Sequence, residues 1–294
     1  MKILLTGASG FLGSILLEEL RKNHEVISLG RGDSNQIIAD LAKEKPEIPE
    51  VDILIHSAGK AHSVPKTEAE KKEFFAVNFE GTKNLIEGIK NPPKQFVFIS
   101  TVAVYGLEKG ELITENHDLD AVSPYGKSKI MAEQLVESWA KREGINYLIL
   151  RLPLVVGANP PGNLGAMIKA IRKGYYFRLG SAESKKSMVL AEDLAQQLLK
   201  WQGHSGIYNL TDGHDPKMKE LEAYLSSQFG KSVKTFPEGP LNFFAKVGDR
   251  ISAFPLNSYR LEKLKHSLTF SSEKAKHELG WEPRSVIGNF RISK

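Results

Sequence analysis

The stretch "KILLTGASGFLGS", residues 2–14, decides the fold of this chain. A short apolar run, KILLT, is followed at once by Gly7, Gly10 and Gly13 in a G-x-x-G-x-x-G pattern, and then by residues of helical period. Glycine permits a tight turn and close approach of the backbone to a pyrophosphate, and a helix N-terminus supplies N–H groups. Glycines also serve ordinary turns and helix packing, but the strand before them and the helix after them favour a dinucleotide-binding loop.

The same alternation of strand and helix continues along the first half of the chain. Further apolar runs lie at residues 25–29, 52–58, 95–100 and 146–151, and helix-like stretches lie at 11–22, 67–90 and 124–143. Connections of this length suit parallel crossovers between strands. The pattern therefore predicts the α/β class, with a Rossmann-type doubly wound parallel sheet.

The rhythm changes after Pro153. "GNLGAMIKAIRKG" (162–174) and "VLAEDLAQQLLKWQ" (189–202) have helical period, and short strands such as "IYNL" (207–210) fall between them. We therefore expect a dinucleotide-binding domain over residues 1–155. Residues 156–294 should form a smaller, mixed substrate-binding part, with some segments returning to the sheet.

Composition narrows the class of protein. The 294 residues are 41% hydrophobic and 26% charged, which is ordinary for a globular protein. The net charge is +5, but Lys and Arg form no long run, so an anionic small molecule is a better partner than nucleic acid. The absence of cysteine excludes disulfides and thiolate chemistry, and the histidines lack paired metal-ligand spacing, so we expect no metal.

Targeting signals are also weak. No stretch approaches the roughly twenty apolar residues needed to cross a bilayer, which predicts no stable membrane insertion. The apolar N-terminal run has glycines where a functional loop needs them, and it lacks the small-residue cleavage site of a secretory signal peptide. We expect a cytoplasmic protein.

The stretch "SPYGKSK" (123–129) places Tyr125 and Lys129 four residues apart, on one face of a helix. A phenol ordinarily titrates with a pKa of about 10, and a neighbouring ammonium moves that pKa toward neutrality. Such pairs are common on solvated helices, but this one follows an apolar strand that ends in Ser100 and Thr101. Ligands of open α/β folds bind at that edge, so the pattern predicts proton transfer, with a hydroxyl binding the reacting oxygen.

The residues after the second strand bear on the choice of cofactor. NAD-type sites carry an acidic residue there, whereas this chain has Gly30 and Arg31. A guanidinium would pair with a 2′-phosphate, so Arg31 favours NADP over NAD, unless it is simply solvated or Asp33 reaches the ribose instead. Asp40, before Leu41, is a candidate for contacting the adenine.

Together these motifs resemble an extended short-chain dehydrogenase/reductase of the NAD-dependent epimerase/dehydratase family. The resemblance covers nearly the whole chain, through "TGASGFLG" (6–13), "HSAG" (56–59), "VNFEGTKNL" (77–85), "STVAVYG" (100–106), "SPYGKSK" (123–129), "LRLPLVVG" (150–157) and "KAKHELGWEP" (274–283). It implies that Tyr125 is the catalytic acid/base, that Lys129 lowers its pKa and holds the nicotinamide ribose, and that Thr101 is the third catalytic residue. Asn78 would support the lysine.

The resemblance also implies which residues hold the cofactor and the substrate. The cofactor contacts are Gly7, Gly10, Phe11, Leu12, Gly13, Arg31, Asp40, Leu41, Ser57, Ala58, Gly59, Asn78, Lys129 and Pro153. The substrate contacts are Thr101, Tyr125, Asn163, Leu164 and Arg260, although Asn163 could instead be a helix N-cap. One departure is Leu154, near the position where the family's epimerases carry an asparagine.

Three other features near the expected site are less specific. Lys60 and His62 follow the third-strand edge, where loop residues are usually solvated. The Phe-rich segment 236–256 could cover the site or touch a lipid-linked sugar, and core packing is the plainer interpretation.

For function, the resemblance implies a nucleotide-sugar oxidoreductase that acts at sugar C4 with NAD or NADP. The reaction would be 4-epimerisation of a UDP-linked hexose or N-acetylhexosamine, or reduction of a 4-keto sugar. Two alternatives stay open: a reductase of a small carbonyl without a nucleotide, and an NAD(P)-sensing protein without turnover. The relatives also imply a homodimer, joined in a four-helix interface by the helices at 67–90 and 124–143.

Overall fold

The computed structural model describes residues 1–61, 63–237 and 265–292. Its strands are β1 (Lys2–Thr6), β2 (Glu25–Gly30), β3 (Ile37–Ile38), β4 (Ile53–His56), β5 (Gln95–Thr101), β6 (Gly110–Ile113), β7 (Asn146–Leu152), β8 (Leu154–Val156), β9 (Phe177–Leu179), β10 (Met188–Leu190), β11 (Gly206–Asn209), β12 (Lys234–Phe236) and β13 (Leu268–Phe270). Its α-helices are α1 (Phe11–Leu20), α2 (Glu68–Phe75), α3 (Gly81–Glu87), α4 (Pro124–Glu143), α5 (Gly162–Lys173), α6 (Ala191–Gln197), α7 (Met218–Ser227), α8 (Glu273–Leu279) and the single turn α9 (Val286–Asn289).

The main sheet has seven parallel strands in the order β11-β7-β5-β4-β1-β2-β3. The first strand pairs with β2 on one side and with β4 on the other, so the winding reverses direction between β1 and β4. Ligands of doubly wound sheets bind at such a reversal, outside the carboxyl ends of the strands. The predicted fold class is confirmed.

The sheet is buried on both faces, as a parallel sheet requires. On one face α1 and α6 pack over β1, and Trp201 and Trp281 meet there edge to face with ring centroids 5.6 Å apart. On the other face α3 and α4 cover the strands, and Phe96 of β5 meets Trp139 of α4 at 5.4 Å. These two apolar layers hold the strand ends that carry the site.

The helix predicted at 67–90 is divided into α2, a π-helical turn (Ala76–Glu80) and α3. The hydroxyl of Thr82 donates to the carbonyl of Asn78 over 2.6 Å. That carbonyl would otherwise serve the regular ladder, so the side chain competes with the backbone and favours a local widening of the helix. Asn78 therefore lies on the one irregular turn of this segment.

The C-terminal part is mixed, as the sequence indicates, but the segment "IYNL" is not part of it. β11 (Gly206–Asn209) pairs with β7 and extends the main sheet, and α6 and α8 pack on the same sheet. A separate core joins α5, α7 and the β8–β10 pair, with β12–β9 as a further small parallel pair. The domain boundary at residue 155 stays a prediction.

Candidate active site

The glycine loop joins β1 to α1 beside the reversal of the sheet. Gly7 has φ +73°, and a Cβ built on it would lie 2.6 Å from the backbone nitrogen of Ala58. A Cβ on Gly13 would lie 1.9 Å from the carbonyl oxygen of Gly7. Only glycine fits these two positions, so the loop holds the α1 N-terminus close against β4.

Two adjoining cavities follow this loop along the strand ends. The larger, of about 450 Å³, is lined by Phe11, Leu12, Thr101, Tyr125, Lys129, Pro153 and other residues on both sides of the reversal. The smaller, of about 240 Å³, is lined by Arg31, Asp40, Leu41, Ala58 and their neighbours. Gly7, Gly10, Ser57 and Gly59 line both. The pair makes one elongated cleft, with the glycine loop at its centre.

The cleft fits a dinucleotide. Its centre is the glycine cradle, where side chains are excluded and the N-terminus of α1 offers a positive dipole end to a diphosphate. Its two arms lie on opposite sides of the reversal, as the two halves of a dinucleotide require. Of the cofactor contacts predicted from the sequence, all but Asn78 line one cavity or the other.

The wall of the smaller cavity carries one cationic side chain, Arg31, and one carboxylate, Asp40. Arg31 is exposed and Asp40 is half-buried, and both line the smaller cavity. Burial tends to raise the pKa of Asp40, but hydrogen bonds from Lys43 and the Ala42 N–H, together with the charges of Lys43 and Arg31, leave it below its usual value. Asp33, which the sequence offered as a competing ribose ligand, does not line this cavity.

The three predicted catalytic residues meet on the wall of the larger cavity. Thr101 ends β5, and Tyr125 is the second residue of α4. The hydroxyl of Ser123 caps that helix by accepting the Gly126 N–H over 3.1 Å, which fixes the first turn where Tyr125 lies. Tyr125 is half-buried and Lys129 is buried one turn further along.

The expected effect of Lys129 on Tyr125 is not what this arrangement shows. Burial raises the pKa of the Tyr125 phenol above its ordinary value, and the opposing influence is a hydrogen bond from the side chain of Thr101. The ammonium of Lys129 instead donates to the carbonyl of Ile99 over 2.7 Å and lies 4.3 Å from the centre of the Phe98 ring. The phenol therefore rests in its protonated form at neutral pH.

The Lys129 ammonium has a strongly lowered pKa. Its burial lowers the pKa to about 8, against the opposing charge of Glu133. Cation–π contact with Phe98 and the bond to Ile99 compensate part of the lost hydration. An ammonium held this close to its titration point, on the wall of a cleft, is typical of functional sites.

Asn78 lies behind the cavity wall rather than on it. Its amide oxygen accepts the Lys60 N–H over 2.7 Å, and its amide nitrogen donates to the Lys60 carbonyl (3.1 Å) and the Ser128 hydroxyl (3.0 Å). It thus joins the loop after β4 to α4, next to Lys129. Lys60 itself lines the larger cavity and forms an ion pair with Glu73 at 2.7 Å.

Two buried polar networks behind the site were missed from the sequence. In the first, Glu133 binds the guanidinium of Arg151 (2.7 Å) and accepts a short hydrogen bond from Ser100, and Arg151 also donates to Tyr105 (3.0 Å). Glu133 is four residues beyond Lys129, so it repeats the Tyr125–Lys129 spacing. That spacing could have indicated from the sequence that Glu133 lies on the same helix face.

The second network supports the glycine loop. His56, at the end of β4, bonds Thr6 over 2.6 Å and Thr82 over 3.0 Å. Burial, aided by the charge of Lys129, lowers the pKa of His56 to about 3, so its ring is neutral. Thr6 also accepts the Ala58 N–H, and Thr82 donates to Asn78. The chain of bonds links the loop of β1 to the turn that carries Asn78.

The substrate contacts predicted in the C-terminal part do not lie together in the cleft. Asn163 is exposed on α5, and the alternative that it caps this helix is wrong, because the N-cap is Pro161 and no side chain caps it. The side chain of Leu164 is buried in the core of the C-terminal part. Neither residue lines the larger cavity, whereas Leu154, 38% exposed, does. Arg260, His62 and most of segment 236–256 lie outside the described residues.

Among the described residues, no cluster of three or more acidic or histidine side chains could hold a metal ion. Over the same ranges, no helix has the length and apolar character that spanning a membrane requires. The fold and the cleft define a doubly wound α/β protein of the dinucleotide-binding class.

The family follows from comparison with known proteins. Residues 3–210, more than two thirds of the chain, match the NAD dependent epimerase/dehydratase family. The chain belongs to this family, and it is an NAD(P)-dependent enzyme of the oxidoreductase or isomerase kind.

Relatives cover nearly the whole chain. It is 27% identical to the N-acetyl-α-D-glucosaminyl-diphospho-ditrans,octacis-undecaprenol 4-epimerase of Escherichia coli O157:H7, over 95% of this chain and 89% of that protein. It is also 27% identical to the UDP-glucose 4-epimerase of Vibrio cholerae, over 97% and 92% of the two chains.

Solved structures share the fold. The UDP-glucose 4-epimerase of Thermotoga maritima with UDP-glucose superposes with a TM-score of 0.73 at 24% identity, covering 96% of this chain and 94% of that one. The UDP-glucuronic acid 4-epimerase of Bacillus cereus, in complex with UDP-glucuronic acid and NAD, gives 0.74 at 21% identity, covering 97% and 95%.

Proposed function

We propose that this chain is a nucleotide-sugar oxidoreductase that acts at sugar C4, as a 4-epimerase of a UDP-linked hexose or N-acetylhexosamine. The observation that carries the proposal is that Thr101, Tyr125 and Lys129 line the same cavity as the glycine loop. This supports a role for Tyr125 as proton donor at the expected nicotinamide end of the cleft. The relatives named 4-epimerases support C4 as the reacting carbon.

The residues have separate roles in the proposed reaction. Bound NAD(P) would supply the hydride chemistry at the sugar carbon. The glycine loop and the α1 N-terminus would hold the diphosphate, and Lys129, whose ammonium donates to the Ile99 carbonyl, would bind the ribose. Thr101 binds the oxygen at C4, and Tyr125 exchanges a proton with that oxygen.

The protonation state of Tyr125 determines which proton transfers it can carry out. Because burial raises the pKa of Tyr125, its resting form is the neutral phenol, which is ready to give a proton to a carbonyl oxygen. To take a proton from a sugar hydroxyl, the phenol must first lose its own. The charge of Lys129 then favours the phenolate only if the ammonium turns from Ile99 toward Tyr125.

A second function, reduction of a 4-keto sugar with NADPH, is favoured by Arg31. This guanidinium lines the adenosine end of the cleft, where an acidic residue would select NAD. A guanidinium pairs bidentately with a phosphate, so we propose that NADP binds more tightly than NAD. A neutral, proton-donating Tyr125 suits the reductive direction as well.

The test is a panel of UDP-, GDP- and dTDP-sugars and their 4-keto derivatives, with a polyprenyl-diphosphate sugar as the competing substrate. Nicotinamide absorbance and product sugars are followed together. Interconversion of C4 epimers without net loss of reduced cofactor would establish the epimerase, and stoichiometric NADPH consumption would establish the reductase. Turnover of small carbonyls alone, or cofactor binding with no turnover of any compound, would overturn the proposal.

A further inference from the structure

The C-terminal end of α5 and the adjoining β9–β12 edge form a surface rich in exposed cations. Lys169, Arg172 and Lys173 project from the last turns of α5 at helical spacings of three and four, while Leu164, Ile168 and Ile171 bury the opposite face. The helix therefore presents its cations together on the solvent side.

Lysines from the next segments extend this surface. The ammonium of Lys231 donates to the carbonyl of Arg172, at the C-terminus of α5. Lys234 is the register partner of Phe177 in the parallel β9–β12 pair, so the two side chains leave the pair on the same side. Lys169, Lys173, Lys231 and Lys234 form no ion pair within the part of the chain that the structure describes.

Two aromatic side chains stand among these cations. Tyr175 is 57% exposed and Phe177 is 49% exposed, so both extend into solvent, two and four residues after Lys173 in the sequence. Nearby Tyr176 is different, because its hydroxyl bonds Glu222 over 2.7 Å. Glu222 also binds Arg178 at 2.6 Å, which removes both of these opposite charges from the exposed surface.

The acidic side chains close in sequence are occupied elsewhere. Glu183 pairs with Lys217 and Lys219, and Glu222 pairs with Arg178. The exposed surface of Lys169, Lys173, Tyr175, Phe177, Lys231 and Lys234, hereafter the α5–β9 face, thus carries four lysines and two aromatic side chains.

We propose that the α5–β9 face docks the protein on an anionic lipid membrane, with Tyr175 and Phe177 entering the headgroup region. Exposed aromatics prefer the interface between water and lipid, and clustered Lys and Arg are attracted to anionic headgroups. The cation and aromatic combination selects a bilayer over an acidic protein, since a mixed surface matches both properties of the interface. The docking is peripheral, in keeping with the absence of a spanning helix from the described ranges.

The α5–β9 face also lies next to the proposed active site. Lys169, Arg172 and Lys173 line a cavity of about 550 Å³ together with Pro160 and Gly162. Pro161, between those two residues, lines the catalytic cavity. A protein held by this face would therefore have its substrate end close to the membrane surface.

The experiment is co-sedimentation of the full chain with vesicles of phosphatidylcholine alone or mixed with phosphatidylglycerol. It requires no turnover, so its result is independent of the proposed function. We expect sedimentation with the anionic vesicles only, and its loss at high salt, because surface attraction is screened. The K169E/K173E variant should reduce the bound fraction by about tenfold at low salt. The Y175S/F177S variant should weaken binding without changing its salt dependence, because no charge is removed.

The matched control is K109E/K200E, which changes the net charge equally at exposed positions outside the face. It should bind the anionic vesicles nearly as the parent does, and thermal unfolding checks that all variants are folded. The proposal is overturned if the parent ignores anionic vesicles at low salt or binds neutral vesicles equally. It is also overturned if the control loses as much binding as K169E/K173E.

Discussion

Tyr125 and Lys129 show how far residue spacing can predict chemistry. The four-residue step correctly predicts that both side chains reach one cavity wall. It does not give the direction in which two long side chains extend. Tyr125 reaches toward Thr101, whereas Lys129 reaches the carbonyl of Ile99 beneath it, so burial decides the phenol's pKa. Burial depends on packing from distant segments, which the local sequence does not contain.

The buried ammonium of Lys129 gives a pH-dependent prediction. The folded-state pKa is about 8, below the unfolded value near 10.5, so between these pH values the folded protein binds fewer protons than the unfolded chain. Stability of the parent should therefore rise across this window, by about 3 kcal/mol relative to Lys129→Met. Urea unfolding of both proteins at pH 7, 8.5 and 10 measures the difference.

The matched control is Lys141→Met, on the exposed end of the same helix. A hydrogen bond and the charge of Glu137 raise the pKa of Lys141, so both states keep its charge over most of the range from pH 7 to 10. The stability difference for this variant should stay flat between pH 7 and 10. An equally flat difference for Lys129→Met would show that the lysine is not buried as an ammonium.

Arg31 provides a prediction about cofactor choice. In the parent, NADPH should bind more tightly than NADH, because the guanidinium lines the adenosine end of the cleft. Arg31→Ala should weaken NADPH binding by at least about 1.5 kcal/mol, the contribution of one charge-assisted hydrogen bond. The affinity for NADH should change little. Fluorescence titration with each cofactor measures both. Equal affinities in the parent would remove the argument for NADP.

At the scale of elements, the longer strands and helices of residues 2–152 were predicted from the sequence, and the irregular turn was not. The sequence places α4 at 124–143, as observed, because Ser123 and Pro124 are strong N-terminal signals and Gly144 ends the helix. The π-helical turn at Ala76–Glu80 coincides with a local hydrogen bond from the Thr82 hydroxyl to the carbonyl of Asn78. Helical periodicity in the sequence does not indicate such a local bond.

Gly126 tests whether the placement of the α4 N-terminus matters for function. A Cβ at this position would lie 2.5 Å from the Ala121 Cβ and 2.8 Å from the carbonyl oxygen of Ala103. Gly126→Ala should therefore displace the first turn of α4 from Thr101 and lower kcat by about tenfold or more, with about 1–3 kcal/mol of lost stability.

Gly144→Ala, at the other end of α4, is the control for that variant. Its Cβ would meet nothing within 4 Å, but its φ of +68° makes alanine strained there. It should lose about 1 kcal/mol of stability and keep its kcat per folded molecule. Equal kcat losses in the two variants would indicate a general effect of destabilising the helix.

At the scale of the whole molecule, the first half of the sheet could be predicted and the second half only in part. Parallel strands joined by long crossover connections carry their topology in the sequence, as residues 2–101 do. β11 has only four residues, and it returns to the sheet beside β7 after a long excursion. Nothing local distinguishes such a strand from one in the small β8–β10 pair.

The homodimer expected from the resemblance belongs to this scale and stays a prediction. The helices α2 and α4 pack side by side, and α4 exposes a stripe that includes Met131, which is 37% exposed. If this stripe is the four-helix interface, Met131→Arg should convert dimer to monomer in sedimentation velocity. Ile38→Arg, at an exposed apolar residue on β3, should leave the dimer intact. A parent that sediments as a monomer would contradict the expectation.

The central claim is that the Tyr125 phenol exchanges the proton at the reacting sugar oxygen, and Tyr125→Phe tests it most directly. Single-turnover kinetics and cofactor titration should be measured on this variant, with Tyr175→Phe as the control at an exposed phenol. We predict a fall of about 10²–10⁴ in the rate of the chemical step for Tyr125→Phe, with NAD(P) affinity unchanged. A chemical step as fast as that of the parent would contradict the account.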